Sequence, residues 1–139
     1  MSIFGASINS STVIAFETAE EIKNGSYYPV KLDANGKVKK CSTEGEAALG
    51  ILIAQTADIV AAGDDVTVQV KDMGPAIAGG VIAAGDPVTV NANGKLIKAA
   101  AGAANVHVLG YAMQAAAADG DIIQIQIMKS MLAAAGAGA

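Results

Sequence analysis

Residues 29–42 read PVKLDANGKVKKCS, and residues 87–100 read PVTVNANGKLIKAA. Pro29, Val30, Ala34, Asn35, Gly36, Lys37 and Lys40 return as Pro87, Val88, Ala92, Asn93, Gly94, Lys95 and Lys98 at a constant offset of 58. Downstream, Leu49-Gly50 returns as Leu109-Gly110 after a two-residue insertion. Gly63-Asp64 returns as Gly120-Asp121, and an alternating run follows each copy, DVTVQV in one and IIQIQI in the other. An Ile-x-x-Gly segment precedes each copy, at 22–25 and 82–85. A chain that writes one pattern twice is constrained to build one unit twice. The period is longer than that of common solenoid repeats, and two copies are too few for a solenoid. The expected architecture is therefore a pseudo-two-fold small β-barrel or sandwich. Its parts are an extended N-terminal arm (1–20), a duplicated β domain (21–128, with units 21–70 and 80–127) and a flexible Ala/Gly tail (129–139).

The units read as all-β. In VKLDANGKVKK an Asn-Gly pair stands between two short alternating runs, and that dipeptide suits the positive φ values of a type I′ hairpin turn. VTVQV (66–70) alternates apolar and polar residues, as a strand with one buried face does. In IIQIQI (122–127) the same rule turns Ile123, Ile125 and Ile127 inward and Gln124 and Gln126 outward. Gly63-Asp64, Gly85-Asp86 and Gly120-Asp121 read as turns, with Gly free in φ and Asp able to bond locally. FETAEEIKN (16–24) leaves a single helical turn open, and ALGILIAQTADIV (48–60) leaves open a strand and loop or a short helix.

Composition sets the class of partner. Five aromatic residues and no Trp leave a core of Val, Ile, Leu and Ala, whose small side chains each bury little area. Oligomerisation or docking on a partner is the natural supplement. The net charge is -4 and all nine basic residues are Lys. A chain without Arg and without a basic stripe is not expected to bind nucleic acid or an anionic membrane surface. The start, MSIFGASINSS, has neither a basic n-region nor a long apolar stretch, and Cys41 has no second cysteine to pair with. These features fit synthesis in a reducing cytoplasm.

No catalytic constellation emerges. His107 is the only histidine, so no second one completes a His-based metal set, and its place in VHVLG suits a solvent-facing strand position. Cys41 corresponds to Ala99 in the repeat, which points to a small apolar filler rather than a nucleophile. Asp64, Asp65, Asp86, Asp119 and Asp121 are scattered singly or in pairs beside glycines and lack the spacing of a calcium loop. Neither a phosphate-cradling loop nor a dinucleotide fingerprint is present. Lys37 and Lys95 follow hairpin turns, as the modified lysine of a lipoyl or biotinyl carrier does, but without a carrier's flanking residues. No enzyme activity, metal or cofactor is expected.

Taken in order, ALGI (48–51), AAGDDVTVQV (61–70), AIAGGVIAAGDPVTVNANGKL (76–96) and VLGYAMQAAAADGDIIQIQI (108–127) resemble the capsid cement or head decoration proteins of tailed bacteriophages. The resemblance covers roughly residues 25–127 and rests on turn-and-strand signatures. It implies a non-enzymatic virion protein, made in the host cytoplasm, that binds the major capsid protein on the outer capsid surface as a homotrimer. The alternatives are another virion accessory domain, such as a head-fibre base or tail part, and a small carrier or ligand-binding barrel. Residues 2–16 mix apolar and small polar side chains suited to strand addition on a partner. The expected capsid or oligomer contacts are therefore Ile3, Phe4, Ile8, Val13, Ile14 and Phe16.

Overall fold

The computed structural model describes residues 13–53, 55 and 57–135. Its strands are β1 (Val13–Glu17), β2 (Ile22–Lys23), β3 (Pro29–Leu32), β4 (Val38–Lys40), β5 (Gly50–Leu52) and β6 (Ile59–Val60). They continue as β7 (Asp65–Gln69), β8 (Asp72–Ile77), β9 (Pro87–Val90), β10 (Leu96–Lys98), β11 (Val106–Ala112) and β12 (Ile122–Leu132). No helix occurs among the described residues. The segment that left a helical turn open supplies the end of β1, a bridge at Thr18 and then β2. The segment 48–60 supplies β5 and β6.

Two five-stranded antiparallel sheets carry the fold, in the orders β1-β7-β5-β3-β4 and β8-β12-β11-β9-β10, beside the small pair β2-β6. Of the expected barrel or sandwich, the chain adopts the open arrangement. The outer strands of each sheet meet at one isolated bridge, Thr18–Val38 in the first and Ala78–Leu96 in the second, so each sheet curls without closing. The strands form where alternation supplies a buried face: Val66 and Val68 on β7, and Ile123, Ile125 and Ile127 on β12, are all buried. One cluster gathers Ile22, Val30, Val38, Leu52, Val66 and Val68, with Phe16 packed against it. The other is built around Val88, Val90, Leu96, Leu109 and Ile125, and takes in Cys41 and Ile51 from the first half.

Neighbouring residues on a strand face opposite ways, so β5 sends Leu52 into the first cluster and Ile51 into the second. Polar links reinforce the junction. The Ile77 N–H donates to the Tyr27 carbonyl (3.0 Å), and the His107 N–H donates to the Gly45 carbonyl (2.9 Å). Gln69, outward by simple alternation, is only 5% exposed. Its amide donates to the carbonyls of Lys71 (2.9 Å) and Met73 (2.5 Å), fixing the crossing from β7 to β8.

Both hairpins form where Asn-Gly foretells them, but the turn is of another type. Gly36 (φ +77°) and Gly94 (φ +79°) adopt the left-handed region, whereas Asn35 and Asn93 do not. A type I′ turn needs two such residues in succession. Here the Gly36 N–H donates to the Asp33 carbonyl (3.1 Å), and the Gly94 N–H to that of Asn91 (3.0 Å), closing a turn before the glycine. The residue that opens each loop decides this. The Asp33 carboxylate accepts the N–H groups of Asn35 (2.8 Å) and Lys37 (2.9 Å), and the Asn91 amide oxygen accepts those of Asn93 (2.9 Å) and Lys95 (3.0 Å). Those backbone bonds hold the Asp33 carboxyl below its ordinary pKa, that to Lys37 foremost. The Gly-Asp turns form as expected, with left-handed Gly63, Gly85 and Gly120.

Candidate interaction surface

β1 is the outermost strand of its sheet and pairs on its inner side with β7 from Val13–Gln69 to Glu17–Asp65. Val13 (47% exposed) and Ile14 (41%) stand in solvent, while Phe16 turns into the first core. Of the residues expected to make contacts, Ile3, Phe4 and Ile8 lie outside the described residues. The structure therefore brings Val13 and Ile14 together at a sheet edge and assigns Phe16 a core contact.

A second apolar edge lies on β12. β8 covers this strand from Ile122 to Ile127, where its first residue, Asp72, pairs with Ile127. Beyond that point β12 continues to Leu132, paired only with the first part of β11: Val108 opposes Ser130, His107 opposes Met131 and Val106 opposes Leu132. The result is a two-stranded ribbon with one outer edge uncovered among the described residues. Met128 (57% exposed) and Met131 (51%) are its large apolar side chains. The register shifts between Val108 and Gly110, so a β-bulge re-aims the strand as it leaves the body of the sheet. Sequence reasoning ended the strand at Ile127 and missed this ribbon. The available signal was Ile127-Met128, two adjacent apolar residues that break the alternation as a bulge does. Ala134 and Ala135 continue past the end of the ribbon, their N–H groups donating to the Asn105 side chain (2.8 Å) and the Gly102 carbonyl (2.7 Å).

Most of the groups that could carry chemistry are buried or engaged in local bonds. Cys41 is 3% exposed, and burial first, then the Glu46 charge, pushes its thiol up to about 12. It is protonated at neutral pH and a poor nucleophile. Ala99, its counterpart, is equally enclosed. His107 is exposed on the ribbon. Asp86 and Asp121 cap their own turns, accepting the N–H of Ala83 (2.9 Å) and those of Ala117 (2.8 Å) and Ala118 (3.1 Å). No three His, Cys, Asp or Glu side chains gather as a metal site among the described residues.

A carrier lysine needs a free amine at a hairpin tip. Here Lys37 pairs with Glu17, and Lys95 pairs with Asp119 at 2.9 Å. One depression of ≈ 170 Å³ lies beside Leu52 and Val60, and another of ≈ 230 Å³ lies beside Thr89 and Val106. Both are smaller than the roughly 300–1,000 Å³ of small-molecule sites. What remains distinctive on the surface is apolar strand edge, which is suited to a protein partner.

The comparisons agree with that reading. The sequence model of a family described as phage cement protein matches residues 8–127. Among solved structures, the fold is similar to the head fiber gp8.5 N base in bacteriophage phi29, with a TM-score of 0.56 and 18% identity over 87% of this chain and 97% of that one. At such identity the likeness is one of fold. No curated protein sequence matches. With the family's pattern running through both sheets and as far as Ile127, midway along β12, the chain belongs to the phage cement proteins, a family of structural virion components.

Proposed function

We propose that this protein binds the outer surface of a phage capsid as a decoration or cement protein and stabilises the shell. The observation that carries the proposal is the family match across residues 8–127. The partner is the major capsid protein, and the binding species is a homotrimer formed before attachment in the host cytoplasm. Cyclic assembly suits a site at a local three-fold axis, because a closed ring leaves no interface unsatisfied. Each copy need contribute only weak contacts, since a trimer bound at three points gains from effective concentration. Residues Ile3, Phe4, Ile8, Val13 and Ile14 supply the capsid or oligomer contacts, and Phe16 anchors the segment to the core. The two units are one ancestral fold used twice. The identical strand orders of the two sheets and the paired bridges Thr18–Val38 and Ala78–Leu96 support that reading.

A second reading, that the domain is the base of a head fibre, is favoured by the fold likeness to the phi29 protein. The two differ in stoichiometry. A cement protein saturates a shell at many symmetry-related sites and raises its resistance to heat. A fibre base leaves shell stability unchanged. Thermal disruption of undecorated shells with and without saturating protein distinguishes them, and a shell that gains nothing removes the cement reading.

A further inference from the structure

Asn-Gly occurs at 24–25, 35–36 and 93–94, and the last two pairs lie in the same tetrapeptide, Ala-Asn-Gly-Lys. This dipeptide carries a latent reaction. Gly has no Cβ to shield its backbone nitrogen, so that nitrogen can reach the side-chain carbonyl carbon of the Asn before it. To do so, the peptide unit between the two residues must rotate out of its turn. The duplication therefore sets one reactive sequence in two hairpins, and the fold makes the two unequal.

At the first hairpin Asn35 and Gly36 are both exposed. Among the described residues, a Cβ at Gly36 would meet nothing within 4 Å. The bond from the Gly36 N–H to the Asp33 carbonyl (3.1 Å) opposes the rotation, and water can replace it at an exposed tip. At the second hairpin Asn93 is exposed but Gly94 is buried. A Cβ there would lie 2.7 Å from the Cys41 carbonyl oxygen, so the main chain of Gly94 rests on that of Cys41. Rotation at this site requires the hairpin to lift off the first half of the molecule. At the third site Gly25 is buried, and its N–H, on the nitrogen that would attack, donates to the Gln55 side chain (3.1 Å). Local opening is nearly free at loop tips and approaches the global stability in packed elements.

We infer that Asn35-Gly36 is a site of spontaneous deamidation, and that the fold makes it react in preference to Asn93-Gly94 and Asn24-Gly25. The Gly36 nitrogen bonds to Cγ of Asn35 and loses its proton to water or hydroxide. The side-chain amide leaves as ammonia, and a five-membered imide closes. Water then adds to either imide carbonyl and breaks that carbon's bond to nitrogen. The products are aspartate, or isoaspartate with the main chain rerouted through the former side chain. Water is the co-reactant, and nothing is oxidised or reduced. The reaction places a new negative charge on one hairpin tip and leaves its duplicate unchanged.

The folded protein is incubated at mildly alkaline pH, with a parallel sample in denaturing guanidinium. Both are cleaved after lysine, which puts Asn24, Asn35 and Asn93 in separate peptides. Mass spectrometry follows the conversion of each amide to a carboxylate. In the folded protein Asn35 should convert about ten-fold faster, or more, than Asn93 and Asn24. In guanidinium Asn35 and Asn93 should convert at matching rates, because their immediate neighbours are the same. A smaller ratio in the folded protein, or one that persists in guanidinium, overturns the inference. The loops differ in the residue that opens them, Asp33 in one and Asn91 in the other. Asn91→Asp removes that difference, and Asn93 should remain slow in the folded variant. A rise to the rate of Asn35 would show that the opening residue, rather than contact with Cys41, sets the selectivity, and would likewise overturn the inference.

Discussion

Gly110→Ala is the substitution whose outcome follows most directly from the geometry. A Cβ at Gly110 would lie 1.9 Å from the carbonyl oxygen of Gln126 and 3.0 Å from the Cα of Ile127. Both atoms belong to the backbone of β12, so no side-chain rotation relieves the clash, and β11 and β12 must move apart by roughly 1 Å from contact distances of about 3 Å or more. The pair sits at the β-bulge in the middle of the second sheet, with Leu109 and Ile125 buried on either side. Overpacking of this kind costs about 1–3 kcal/mol, and stretching a ladder hydrogen bond adds about 1 kcal/mol. The expected loss is therefore about 3 kcal/mol. In urea, with a slope of about 2 kcal/mol per M, this moves the unfolding midpoint down by about 1.5 M. The measurement is made at one fixed protein concentration, because an oligomer's midpoint depends on it. Gly50→Ala, whose Cβ would meet the Gln69 carbonyl oxygen at 2.1 Å, should behave alike. Gly80→Ala meets nothing within 4 Å and should be neutral or stabilise the chain by a few tenths of a kcal/mol. A Gly110→Ala midpoint indistinguishable from that of Gly80→Ala would refute the strand spacing from which the reasoning starts.

Four further outcomes are expected. The Cys41 thiol should resist modification at pH 8 in the folded protein and react once it is unfolded. Because burial raises its pKa to about 12 from an ordinary 9.0, the fold keeps the proton that the unfolded chain loses. Stability should thus fall by about 1.4 kcal/mol per pH unit between those values, and Cys41→Ala should remove that part of the slope in alkaline urea titrations. Ile125→Ala, at a position with 0% exposure, should cost about 3 kcal/mol in chemical denaturation. Asn91→Ala removes the acceptor for the Asn93 and Lys95 N–H groups and should cost about 1 kcal/mol by the same assay. Burial raises the Glu46 pKa, but the Lys31 ammonium and the Ser42 and Thr43 N–H groups outweigh it and hold the carboxyl below 4.5. Its contribution is present above that pH and lost as pH falls, so Glu46→Gln should flatten the acid limb of the stability profile.

Local features were legible because they need only local chemistry. Asn-Gly between short alternating runs located both hairpins, and alternation located the inner faces of β7 and β12. Setting Cys41 against Ala99 revealed an enclosed position of small volume, and both side chains are buried. The turn type was hidden because Asp33 and Asn91, two residues ahead of Asn35 and Asn93, compete for the same N–H groups and win. The repeated Leu-Gly was visible as a pattern but not as a cause, since the obstructing carbonyls belong to Gln69 and Gln126, which only strand register brings alongside. Gln69 departed from its alternation because the crossing to β8 supplies carbonyls for its amide. The ribbon escaped notice because a bulge shifts the phase of the alternation, and a phase shift in sequence looks like the end of a strand.

Co-sedimentation of the purified protein with undecorated phage shells tests the central claim most directly. The account predicts saturable binding at a ratio set by the capsid's local symmetry axes, together with shells that survive higher temperature. A protein that stays in the supernatant at every concentration, leaving shell stability unchanged, would contradict it.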